Sequence, residues 1–216
     1  MLRIDGLDVA IESVGILRGV NLAVGAGRFA GLIGRNGAGK TTLMRSIMGL
    51  LPWRAGGIAF DGNPLAGVPV HARARLGIGY MPEDRRLIPA LSVEENVLLP
   101  AWSVHAADAP ARLQRVYAMI PEVGEFAQRK ALQLSGGQQK LVALARALMC
   151  GDRLLLLDEP FEGVAPVLAR RLAEVIAGLK RAGLTVILSE SSVTHARELL
   201  DDIFVIDRGV VARSPA

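Results

Sequence analysis

The 216 residues are 51% hydrophobic and only 21% charged, a balance that excludes a disordered chain and points to strands buried on both faces. The net charge of +4 is spread among acids, as in Pro82-Glu83-Asp84-Arg85-Arg86, without the basic stripe or interleaved aromatics of a nucleic-acid surface, so no nucleic-acid partner is expected. No apolar run approaches the ~20 residues that a membrane-spanning helix requires. Residues 1–6 carry Arg3 and Asp5 and no signal-peptide core, and the lone Cys150 cannot form an internal disulfide. A cytoplasmic chain in a reducing compartment is the expectation, with Cys150 a small buried hydrophobe near a helix end.

In chain order, residues 2–31 alternate apolar and polar positions, with Gly6, Gly15, Gly19, Gly25 and Gly27 as punctuation, which predicts short antiparallel strands. Phe29-Ala30-Gly31-Leu32-Ile33 reads as a buried strand feeding a glycine loop, and residues 40–50 as the helix behind it. Trp53 is expected to pack after that helix. From residue 94 to 133 the pattern turns helical, with Pro100, Pro110 and Pro121 predicted to break it into short pieces and Trp102 inside it. This is a candidate helical lobe inserted in a single domain spanning 1–216. Beyond it come a helix at 136–149, a strand at 153–157, a helix at 167–181 and a strand at 185–188. Such alternation predicts an α/β fold with a mostly parallel sheet covered on both faces. Residues 203–211 read as a hairpin turning at Asp207-Arg208-Gly209.

Gly34-Arg35-Asn36-Gly37-Ala38-Gly39-Lys40-Thr41 matches G-x-x-x-x-G-K-[ST], the Walker A loop. Its glycines let backbone N–H groups close on phosphate oxygens at the start of a helix. Lys40 is expected to reach the outer phosphates, with Thr42 beside it in the same site, and the Thr41 hydroxyl to ligate Mg²⁺. Leu154-Leu155-Leu156-Leu157-Asp158-Glu159 supplies a second half: an apolar strand delivers Asp158 to the Mg²⁺ water shell and Glu159 as a base for an attacking water. Alone, this stretch also reads as a strand ending in two surface acids. Together the two motifs indicate P-loop nucleotide hydrolysis or binding, with ATP and Mg²⁺ the expected cofactors.

Leu134-Ser135-Gly136-Gly137-Gln138 follows, just before the second motif. It is another glycine-rich helix start, whose Ser135 hydroxyl and amides suit an anion, or simply cap the helix. With this pentapeptide the chain resembles the ABC ATPase family over nearly its whole length. The resemblance implies a P-loop fold of ABC type, with an N-terminal antiparallel β subdomain and a small helical lobe beside the parallel core. It also implies that Ser135, Gly136, Gly137 and Gln138 contact the γ-phosphate held by a second ATPase subunit, in a head-to-tail pair.

Gly77-Ile78-Gly79-Tyr80-Met81-Pro82-Glu83-Asp84-Arg85-Arg86 and Leu91-Ser92-Val93-Glu94-Glu95-Asn96-Val97 are similar to the LivF type of branched-chain amino acid importer ATPases, as is Phe161-Glu162-Gly163-Val164-Ala165-Pro166. Glu83 stands where most ABC proteins have a glutamine that senses Mg²⁺ and touches the membrane subunit; it also fits an ordinary solvated turn. The implied partners are transmembrane permease subunits, a second identical or related ATPase subunit and, indirectly, a solute-binding protein, with the chain peripheral at the inner face of the cell membrane. Two departures stand out. Ser191 occupies the switch position where most relatives have histidine, with His195 one turn further on, so slow hydrolysis is expected. Ile11-Glu12-Ser13-Val14 offers adenine an aliphatic surface in place of an aromatic one, which predicts loose base selectivity. A non-transport ABC ATPase and a low-turnover nucleotide-binding half of a heterodimer are the alternative readings.

Overall fold

The computed structural model describes residues 1–194 and 196–214. Strands β1 (Leu2–Ile11) and β2 (Val14–Val24) form an antiparallel hairpin, followed by β3 (Phe29–Ile33) and helix α1 (Lys40–Ile47). Next come β4 (Ala55–Phe60), β5 (Asn63–Pro64), α2 (Val70–Arg75) and β6 (Ile78–Met81). Helices α3 (Val93–Ser103), α4 (Ala109–Met119) and α5 (Pro121–Glu125) precede α6 (Gly136–Leu148) and β7 (Leu154–Asp158). The chain continues through α7 (Pro166–Arg181), β8 (Thr185–Glu190), β9 (Asp202–Asp207) and β10 (Val210–Arg213).

Two sheets result. One is antiparallel with strand order β2-β1-β4-β5, and the other has order β10-β9-β3-β8-β7-β6, parallel from β9 to β6 with β10 antiparallel at its edge. The N-terminal strands are longer than the short pieces expected, because the glycines at positions 6, 15 and 19 are accommodated within β1 and β2, where the β1–β2 register shifts. Leu154 to Leu157 are all fully buried, as a parallel strand covered on both faces requires. Their side chains alternate: Leu154 and Leu156 join a core shared with α1 and the antiparallel sheet, while Leu155 and Leu157 join one built from α3 to α7. The large sheet therefore separates two apolar layers.

Pro110 and Pro121 start α4 and α5, where a missing N–H costs nothing. Pro100, predicted to break the helical pattern, instead lies inside α3, which ends three residues later at Ser103. So near the end of a helix, proline forfeits a single interior hydrogen bond. The start of α3 carries a capping box between Ser92 and Glu95. Trp53 is half-buried against the Arg73 guanidinium, 5.5 Å from the ring centre, and Cys150 is buried just past α6. Among the described residues no helix is long and apolar enough to cross a membrane.

The carboxyl ends of β3, β7 and β8 lie side by side, with Ile33 paired to Glu190 and Asp158 to Ser189. In parallel α/β sheets that end is where ligands bind, and here it gathers the motif residues.

Candidate functional site

The Walker A loop joins the end of β3 to the start of α1 and is clamped from behind. Gly34 N donates to Glu190 O at 3.0 Å, and Gly209 N, in the β9–β10 turn, donates to Ala38 O at 2.9 Å. A Cβ on Gly34 would sit 2.2 Å from the Ile206 carbonyl oxygen, so only glycine fits. Gly39 is the N-cap of α1 at φ +112, a backbone open to glycine, and no side chain caps the helix. The loop opens on a cavity of about 350 Å³ lined by Ile16, Asn36, Gly37, Gly39, Lys40, Thr41, Thr42, Glu83 and Glu159. Arg35 and Ala38 lie on the opposite side of the loop, along a second hollow shared with Val205 to Arg208.

Lys40 is almost fully buried, and its ammonium spans Gly34 O at 2.5 Å, Arg35 O at 3.1 Å and Glu159 Oε1 at 2.9 Å. The side chains of β7's last residue and its successor thus meet the loop from across the cavity. Asp158 accepts from Ser189 Oγ at 2.6 Å, from the Tyr80 hydroxyl at 3.1 Å and from the Thr41 hydroxyl. Burial nevertheless pushes the Asp158 carboxyl above its usual range, the three donors opposing the shift. Burial likewise raises Glu159, with the Glu162 carboxylate adding to it and Lys40 resisting. Glu159 Oε2 is buried without a hydrogen-bond partner among the described residues, an acceptor suited to a water proton.

No group of three or more His, Cys, Asp or Glu side chains is placed to hold a metal among the described residues. One hydroxyl and one carboxylate fit Mg²⁺, which keeps much of its water and takes its remaining ligands from phosphate. Thr41 and Asp158 could hold it, with exposed Glu83 on the cavity wall. Burial raises the Glu83 carboxyl too, and the nearby charges of Glu159 and Asp158 raise it further, so this wall is electronegative and receptive to a cation.

The second glycine-rich helix start lies elsewhere. Ser135 and Gly136 are exposed at the N-terminus of α6, and neither they nor Gly137 and Gln138 line the cavity. The Ser135 hydroxyl accepts from Gln138 N at 3.3 Å and Gln138 Oε1 accepts from Ser135 N at 2.9 Å, a complete capping box. The helix-capping reading of Ser135 is therefore correct as local structure.

A family model described as ABC transporter matches residues 17–162. The chain belongs to the ABC transporter family. It is 35% identical over 209 residues to the high-affinity branched-chain amino acid transport ATP-binding protein BraG of Pseudomonas aeruginosa, spanning 97% of this chain and 90% of that one. It is 33% identical to the probable branched-chain amino acid transport ATP-binding protein LivF of Archaeoglobus fulgidus, with 98% and 90% covered. The lipopolysaccharide export system ATP-binding protein LptB of Escherichia coli is also 33% identical, with 96% and 87% covered. Among solved structures, the ADP conformation of an ATP-binding cassette of an ABC transporter matches with a TM-score of 0.85 at 26% identity, over 100% of this chain and 91% of that one. A dimeric cassette in a post-hydrolysis state bound to ADP and Pi matches with 0.88 at 25%, over 99% and 98%. The fold is that of an α/β P-loop ATPase, as the motifs implied.

Within this ABC cassette, the structure adjusts several expectations. The aliphatic wall of the cavity is Ile16, half-buried, whereas Ile11 and Val14 flank the exposed β1–β2 turn. Residues 11–14 are displaced from the site because Glu12 and Ser13 form the hairpin turn itself. Ser191 is exposed just beyond β8 and does not line the cavity; His195 lies outside the described residues. Sequence reasoning missed Tyr80, Ser189, Glu190 and Lys140. Ser189 and Glu190 are polar residues that follow the apolar Val186, Ile187 and Leu188 of β8, and Glu190 accepts from Phe161 N at 3.1 Å while burial pushes its carboxyl up to about 7. Lys140 interrupts the apolar face of α6. Such breaks in a buried pattern were the available signal.

Proposed function

We propose that this chain is the ATP-binding and hydrolysing subunit of an ABC importer for branched-chain amino acids or related small polar solutes. It works with transmembrane permease subunits at the inner face of the membrane, beside a second ATPase subunit and, indirectly, a solute-binding protein. The observation that carries the hydrolytic reading is the meeting of Lys40 and Glu159 across a cavity walled by Thr41 and closed behind by Asp158. The importer reading draws on the likeness to the BraG and LivF proteins over nearly the whole chain.

In this scheme the amides of the cavity-lining Asn36, Gly37, Gly39, Lys40, Thr41 and Thr42 and the Lys40 ammonium bind the phosphates of ATP, and Ile16 covers the base without π-stacking. Thr41 and Asp158 hold Mg²⁺, which supplies positive charge at the phosphate oxygens. Glu159 orients water against the γ-phosphorus and takes its proton while the bond to the β–γ bridging oxygen breaks. Ser135 and Gly137 of the opposing subunit complete the site, so ATP joins two subunits and hydrolysis frees them. Ser191, exposed beyond β8 and outside the cavity wall, supplies no cation to the site, which slows turnover.

The test is steady-state ATP hydrolysis by the purified chain, alone and with its permease. Turnover that falls at least ~100-fold in Glu159→Gln supports the reading; a mutant as fast as the wild type removes Glu159 from the reaction. An exporter reading has the likeness to LptB in its favour. Reconstitution with permease distinguishes the two: ATP-dependent uptake of a branched-chain amino acid into the compartment bearing the cassette is the importer's result.

A further inference from the structure

Lys140 lies in the second turn of α6, five positions after Ser135, on a face shared with fully buried Ala143 and Leu144. Only 5% of it is exposed. An ammonium in such a place is costly, and a methionine would fill similar volume without that cost. Burial, with help from Arg85, holds the Lys140 pKa below its ordinary value, although the carboxylates of Glu190, Glu162 and Glu83 favour the charge.

What the amine does is specific. Its Nζ donates to the carbonyl oxygen of Glu159 at 2.7 Å, in a buried hydrogen bond joining α6 to the residue just past β7. Glu159 needs holding: its φ is +47, in the left-handed region that residues other than glycine adopt only at a cost. Its amide is gripped at the other end, donating to both the carbonyl oxygen and Oγ of Ser189 at 3.1 Å. The residue is thus pinned between α6 and β8, and its carboxylate projects into the cavity.

We propose that Lys140 is a positioning residue for hydrolysis: by holding the Glu159 carbonyl it fixes the direction of the Glu159 carboxylate and ties it to the helix that begins at Ser135. The inference rests on the reading of Glu159 as the base. A lysine contact made by a mid-helix residue has a mechanical consequence, since any displacement of α6 is passed to the Glu159 backbone. Occupation of the Ser135 end by a partner's nucleotide is in this way felt at the chain's own base.

The experiment measures kcat, KM and the affinity for a fluorescent ATP analogue in the wild type, Lys140→Met, Lys140→Gln and Lys140→Arg. Methionine removes the donor, and glutamine ends one bond short of it. Both are expected to lower kcat about ten-fold or more, with KM and analogue affinity within about two-fold; arginine, which reaches the carbonyl, stays within about three-fold of wild type. The variant that decides, Met or Gln, is whichever binds the analogue as wild type does, and a wild-type kcat in it overturns the inference. Lys140→Met added to Glu159→Gln is expected to slow it no further, because both act through one group. An additive loss, or a KM that rises in step with the fall in kcat, overturns it as well. A wild-type chain without turnover overturns the hydrolytic reading and this inference together, whereas normal turnover with an unaffected Lys140→Met overturns this inference alone.

Discussion

At the start of α1, Gly39 sits in a left-handed backbone with no side-chain cap, and Lys40, Thr41, Asp158 and Glu159 surround the opening. At the start of α6, Ser135 and Gln138 cap each other at an exposed surface, away from that cavity. Both are glycine-rich helix N-termini with the same electrostatic appetite for an anion. Only the first is furnished by its own chain with a buried ammonium, a hydroxyl and two carboxylates. In the function proposed above, phosphate binding and site completion are divided: the α1 end serves as one half-site, and the α6 end is used when another subunit brings a nucleotide to it.

The contrast is widest at Lys40 and Ser135. Lys40→Ala, which removes a charge-assisted contact, is expected to weaken ATP binding to the isolated chain by roughly 10- to 100-fold. Ser135→Ala is expected to leave the same affinity within about two-fold while lowering turnover; isothermal titration of each variant reads the difference.

The glycines of the two helix starts should also behave unequally. Gly34→Ala drives a Cβ into the Ile206 backbone and is expected to lower Tm by several degrees. In Gly136→Ala the added Cβ meets only the end of the Arg85 side chain at 3.1 Å, so thermal unfolding is expected to stay within about 2 °C of wild type. Equal losses of Tm would erase the distinction between a built and an open helix start.

A smaller effect belongs to the furnished side alone. The Glu190 carboxyl is raised from 4.5 to about 7, chiefly by burial, so the folded chain keeps a proton there that the unfolded chain releases. The stability this contributes is complete below the unfolded value and is lost as pH rises through the folded one. Tm measured between about pH 5 and about pH 8 should therefore fall less in Glu190→Gln than in wild type. The smallest effect is the cap: Ser135→Ala should cost about 1 kcal/mol of stability in denaturant unfolding.

The furnished half was also the more legible one. The glycine spacing of residues 34–41 and the apolar run ending at Asp158 are local patterns with local causes, and the loop, α1 and β7 lie where those patterns placed them. Phe29–Ile33 forms the strand that its composition suggested. What escaped is non-local. Nothing adjacent to Tyr80 or Ser189 announces that both donate to Asp158, because β6 and β8 reach it only as sheet neighbours of β7. Ile16 replaces residues 11–14 at the cavity because a two-residue turn, invisible to a count of apolar positions, sets which part of the hairpin faces the loop. Pro100 misled because a residue known to break helices was weighed without the distance to the end of α3.

That one chain holds two incomplete halves is tested most directly by the specific ATPase activity measured as a function of concentration, for the chain alone and titrated with a second ABC ATPase subunit. Activity per subunit is expected to climb with concentration and level off as pairs form, tracking mass measured on the same samples. Activity per subunit that is constant throughout, in a chain that stays monomeric, would contradict the division into half-sites.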